Sequence, residues 1–138
     1  MRVDSFYLAD RAQIVDGKLY VLGGGWNYLN LAGPNSPVEF MALVGRVLVP
    51  FERAENEIDL HIRLEYAEVA LDGPQFRLLL RPGRSAQQRR SVETATPFVI
   101  DVLGLSFPWE GEYAFVMRHA ESEVARTRFQ VNYVIQDQ

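Results

Sequence analysis

An all-β, immunoglobulin-like antiparallel sandwich of about eight strands is the fold predicted for this chain of 138 residues. Three observations lead there. Apolar residues alternate with a period of two in segment after segment, Gly, Pro and Asp-Gly turn signals separate those segments, and no segment holds a helical period. A helix-crossed parallel sheet is disfavoured, because each crossover takes about a dozen residues or more.

The elements follow in order. Segments 5–10 (SFYLAD) and 18–23 (KLYVLG) flank Asp16-Gly17, a strong hairpin signal. Segment 39–50 is apolar on both phases and stops at Pro50, as a central strand covered on both faces does. Residues 50–57 have room for one helical turn, with Pro50 at its start. The clearest alternation is in 58–68, where Ile58, Leu60, Ile62, Leu64 and Tyr66 fall on one side and Asp59, His61, Arg63 and Glu65 on the other. A second Asp-Gly, at 72 and 73, predicts a turn before a strand at 75–82, and the polar, Arg-rich 81–94 reads as a long exposed loop. Strands are predicted within 96–107, 111–119 and 124–134, the last two forming a hairpin across 120–123. Pro108, Gly111 and Tyr113 make a Pro-x-x-Gly-x-Tyr signature before a late strand, which marks Tyr113 as the corner tyrosine of an immunoglobulin-like sandwich.

Composition narrows the function. One domain spanning 1–138 is expected, and this length supports a continuous core. A formal charge of −4 and a pI near 5.2 argue against a general nucleic-acid binder. With 0 cysteines there are no disulfides, thiolate metal sites or cysteine nucleophiles, and a reducing compartment fits. No stretch resembles a signal peptide or approaches the roughly 20 apolar residues of a membrane span. The expectation is a cytoplasmic protein without a membrane partner.

The glycine run of VLGGGWNYLN, at Gly23, Gly24 and Gly25, raises the question of a phosphate loop. It lacks the following lysine and the helix, and Tyr28 breaks G-x-G-x-x-G. Its simpler reading is a bend or bulge where a strand passes between sheets. Trp26, Asn27 and Tyr28 beside it form the candidate binding group, suited to a sugar or peptide. The alternative is a Trp26 buried under the loop with its indole N–H on a backbone carbonyl.

Other clusters point less clearly to chemistry. His61 and His119 both lie on strands, with no partner motif for a nucleophile or a metal. Glu52, Glu55, Glu57 and Asp59 are oxygen-rich, yet they lack a calcium-loop pattern. Arg77, Arg81, Arg84, Arg89 and Arg90 make a basic cluster that suits an acidic partner or simply faces water. No catalytic residue, metal ligand or cofactor is expected. The surplus of apolar residues on both phases, with Tyr7, Tyr20, Met41 and Leu43 as candidates, suggests a face buried by a second copy.

Residues 6–29 resemble the opening of a family of small uncharacterised bacterial proteins, mainly actinobacterial, with the pattern ADxAQxxDGKLYVLGGGW. LVGRVLVP, GLSFPWEGEYAF and RFQV also look family-like, whereas 81–94 is less typical. That family is a domain of unknown function, so the resemblance implies no activity and no catalytic residues. The expectation is therefore a non-enzymatic binding or assembly module that recognises a protein partner or self-associates, for instance as a homodimer. A carbohydrate or small-molecule site at the glycine-rich loop is the alternative, and an enzyme of unrecognised type the third choice.

Overall fold

The computed structural model describes residues 1–54, 56–83, 89 and 92–134. Within them run nine strands: β1 (Arg2–Val15), β2 (Lys18–Trp26), β3 (Tyr28–Leu31), β4 (Ala42–Val49), β5 (Ile58–Tyr66), β6 (Val69–Leu80), β7 (Thr94–Asp101), β8 (Gly111–His119) and β9 (Ser122–Tyr133). A single 3-10 turn, Phe51–Arg53, follows Pro50. The strands form a four-stranded sheet in the order β2-β1-β4-β7 and a five-stranded sheet in the order β3-β9-β8-β5-β6. All pairings are antiparallel except that of β3 with β9.

The period of two places the core. Ile58, Leu60, Ile62 and Leu64 face the opposing sheet, and all four are buried. Leu8, Leu43, Val47 and Phe98 meet them from the four-stranded sheet. Phe107, Tyr113, Phe115 and Phe129 pack at one another with ring centroids 4.9–5.7 Å apart, in the edge-on and offset arrangements that aromatic quadrupoles favour. Met41 and Leu43, expected on a face open to a second copy, are instead core residues. β4 is apolar on both phases; Leu43 lies on the phase that points between the sheets, and Met41, just before the strand, joins the same core cluster.

Turn chemistry matches the sequence at one Asp-Gly and departs from it at the other. Asp16 and Gly17 have φ of 51° and 73°, the left-handed pair that a two-residue hairpin turn needs. The β5–β6 turn uses Ala67 and Glu68, with φ of 49° and 66°, rather than Asp72-Gly73. β6 thus starts at Val69, and its register jumps from Glu65↔Ala70 to Arg63↔Gln75. Asp72 and Gly73 lie in the resulting bulge, because the strand partner was already fixed by the tighter turn upstream.

Three tyrosines pin the loop between β7 and β8. Tyr113 donates to the Trp109 carbonyl at 2.7 Å and accepts from the Trp109 N–H at 3.1 Å, the corner expected from its sequence signature. Tyr66 donates to the Glu110 carbonyl at 2.6 Å, and Tyr133 to the Phe107 carbonyl at 2.7 Å. The buried Tyr113 phenol requires such partners, and the loop supplies them to it and to the two partly exposed tyrosines.

Candidate functional site

The glycine-rich segment is a junction between sheets. Gly23 and Gly25 have φ of 61° and 87°, and the β1–β2 register shifts between Leu8 and Ala9 opposite them. A Cβ on Gly23 would meet the exposed Asp10 carboxylate, a side chain able to swing aside, so glycine is needed there for its positive φ. Past this bulge the chain leaves the four-stranded sheet at Trp26 and enters the five-stranded one at Tyr28, with Asn27 between them. The Asn27 carbonyl accepts from Gln130 N–H at 2.8 Å and starts the parallel pairing with β9. At 4 residues β3 is too short a run to give a periodic signal in the sequence.

On the other side of the bulge the hairpin folds back. β1 pairs with β4 only as far as Ala9↔Ala42, and beyond it residues 11–15 pair with 18–22 alone. Ala12, Leu19 and Val21 turn onto Ala9, Ala42 and Val44, which are fully buried although they lie on the outer face of the four-stranded sheet. The opposite side of the hairpin faces outward, with Leu22 70% and Tyr20 53% exposed. Phe40 and Leu103, also exposed, adjoin it across Arg11, whose guanidinium sits 4.3 Å from the Phe40 ring centroid.

The free edge of β2 differs from the other sheet edges. β7 carries Pro97 and Asp101, β6 carries Asp72, Pro74 and Arg77, and β3 is only 4 residues long. Charge, proline and shortness are the usual guards of an exposed edge. β2 has one charge, Lys18, at its first residue, and its pairing with β1 is unbroken from Lys18 to Leu22.

Gly23, Gly24, Gly25, Asn27 and Tyr28 are all exposed, and Trp26 is half-buried against the core. The Trp26 indole N–H is buried and meets no acceptor among the described residues, where a backbone carbonyl was expected. Asn27 borders a shallow hollow of about 140 Å³ with Glu112, Arg128 and Gln130. Tyr28 and the glycines do not line it. Larger hollows lie elsewhere: about 530 Å³ beside Trp109, Leu71 and Asp72, and about 390 Å³ over His61, Arg63, Gln75, Arg77 and Arg118.

The acids and arginines of the sequence pair with one another. Asp59 accepts from Arg77 at 2.9 and 3.0 Å, and Arg77 holds its carboxyl below the usual carboxylate range. Glu57 accepts from Arg81 at 2.9 Å. Glu55, Arg84 and Arg90 lie outside the described residues, as does half of the 81–94 loop. Among the described residues no group of three or more His, Asp or Glu converges as metal ligands. No helix there is long and apolar enough to cross a membrane.

The outer face of the five-stranded sheet carries a charge network that no local sequence motif marks. Glu65, 4% exposed, accepts from Arg126 at 3.0 Å and from Arg63 at 3.2 Å. Its alternation with Arg63 was visible, but the partner on β9 is 61 residues away. Val116 also points outward yet is buried, lying in register between Arg63 and Arg126, whose aliphatic stems cover it.

No curated protein matches this chain. A family model does match, over residues 4–132, which takes in every strand described above except the first two residues of β1 and the last of β9. A match of that extent identifies the chain as a member of DUF6941, a family of unknown function.

Proposed function

We propose that this protein is a non-enzymatic assembly module that self-associates through the free edge of β2. The observation that carries this reading is the unguarded edge at residues 18–22, flanked by exposed Tyr20 and Leu22. Two copies related by a two-fold axis would pair β2 with β2 antiparallel and join two four-stranded sheets into one. Tyr20 and Leu22 of each copy would then meet their counterparts and leave water. The bulge at Gly23–Gly25 ends the pairing segment, because it breaks the regular spacing of edge N–H and C=O groups.

The same reading places the module in the cytoplasm of a bacterium, for which the cysteine-free composition offers support. It takes the sandwich to be immunoglobulin-like, supported by the tyrosine corner at Tyr113 and the sheet switch at Asn27. A small-molecule site at the glycine-rich loop has less behind it. The hollow at Asn27 falls below the range of about 300–1,000 Å³ usual for ligand pockets.

Sedimentation equilibrium tests the assembly. The wild type is expected at twice the protomer mass of 15.7 kDa, and the double variant Tyr20→Lys, Leu22→Lys at the protomer mass with its fold intact. A wild type that stays at the protomer mass up to its solubility limit would overturn the reading.

A further inference from the structure

The outer face of the five-stranded sheet carries a second feature, independent of the β2 edge. Strand register sets Arg77, His61 and Arg118 side by side in one row across β6, β5 and β8. Gln75 and Arg63 stand in the next row on β6 and β5. Arg77 and Arg118 thus flank His61 with Arg63 in the adjoining row, and cations gathered on one sheet face repel unless anions offset them.

The offset supplied by the protein is incomplete. Asp59 takes both Arg77, through two hydrogen bonds, and His61, at 3.4 Å. Glu65 is shared between Arg63 and Arg126, and Arg126 also holds Glu123 at 2.7 Å. Arg118 donates to a backbone carbonyl, that of Glu121. Glu123 stands opposite Arg118 in register on β9, but its carboxylate is already committed to Arg126. Among the described residues, Asp59, Glu65 and Glu123 thus stand against the four guanidiniums of Arg63, Arg77, Arg118 and Arg126. The Nε–H of Arg63 is moreover buried without a hydrogen-bond partner among the described residues, an orphaned donor of the kind a folded protein leaves rarely.

These groups surround the hollow of about 390 Å³, within the size range of small-ligand sites and with no carboxylate among the described residues that line it. We infer that this cleft over His61, Arg63, Gln75, Arg77 and Arg118 binds a phosphate monoester. A monoester carries about −1.5 to −2 charges at pH 7, against about −1 for a carboxylate. It offers three acceptor oxygens, enough to engage the guanidiniums of Arg63 and Arg118 together with the Gln75 amide. The surplus positive charge and the number of unused donors both favour it over a carboxylate.

The test is a titration of the ¹⁵N-labelled full chain with free phosphoserine, with acetate as the carboxylate probe, at matched ionic strength. Saturable shifts are expected for the amides of His61, Arg63, Gln75 and Arg118 and for the Arg63 Nε–H, with acetate at least tenfold weaker. Arg118→Ala and Arg63→Ala should each weaken phosphoserine binding by about tenfold or more, the usual effect of losing a charged hydrogen bond. Arg128→Ala, on the same face but paired with Glu112 outside the cleft, should bind within about twofold of wild type. Arg63→Ala also releases Glu65, so Arg118→Ala, which breaks no ion pair among the described residues, keeps the test valid if the former unfolds. Absence of saturable shifts, equal binding of acetate, or unchanged binding in Arg118→Ala would each overturn the inference.

Discussion

Two residues show how the protein satisfies polar groups at its margins. Tyr113 is buried among aromatics and closes both of its hydrogen bonds on one residue, Trp109. Tyr113→Phe removes both while keeping the ring. A loss of about 2 kcal/mol in urea unfolding is expected, since the Trp109 N–H and carbonyl both lose their partner. Burial pushes the phenol pKa up, against the lowering effect of the backbone hydrogen bond. The folded state therefore keeps the phenolic proton to higher pH than the unfolded chain, so stability must fall as pH rises past the ordinary tyrosine value of about 10. Tyr113→Phe should flatten part of that alkaline slope, and the remainder belongs to Tyr133, whose pKa burial also raises. Glu65 is the second case. Replacing it with Ala leaves Arg63 and Arg126 facing each other, and a loss of about 2 kcal/mol is expected by the same unfolding measurement. That is less than the roughly 3–5 kcal/mol of a fully buried pair, because water reaches both arginines.

At the scale of elements, strand existence was legible and strand partnership was not. The alternation of β5, the two-phase apolarity of β4 and the Asp16-Gly17 turn are local signals, and each appears in the structure as read. The Asp72-Gly73 turn failed because Ala67 and Glu68 adopt the left-handed turn first, which propensity alone does not favour. The glycine run was read as a bend between sheets, and the structure adds the reason for its middle member. A Cβ on Gly24 would lie 2.8 Å from Val21 and 3.2 Å from Tyr7, at the seam where the hairpin lies on the sheet. Gly24→Val should therefore lift the hairpin off that face. Hydrogen exchange is expected to lose protection at 11–15 and 18–22 while β5, β8 and β9 keep theirs.

For the whole molecule, the consequence of the folded-back hairpin is that one outer face is already covered. The surplus of apolar residues that suggested a second copy is met in part from within the chain, by Ala12, Leu19 and Val21. What is left for a partner is narrower: the β2 edge, with Tyr20 and Leu22 beside it. The mass measurement on the double lysine variant therefore tests an edge rather than a face. The opposite sheet carries the charged surface, so phosphoserine binding and self-association are expected to vary independently in the variants described above.

The sequence by itself determined the class of fold, most of the strands, the corner at Tyr113 and the family, because alternation, turn residues and motif spacing are properties of neighbouring residues. Only the tertiary structure decided which edge stays open, that the hairpin covers its own sheet, and that arginines from β5, β6 and β8 share one cleft. Those depend on register between strands far apart in the chain, and a shift of one residue would send each of these side chains to the other face.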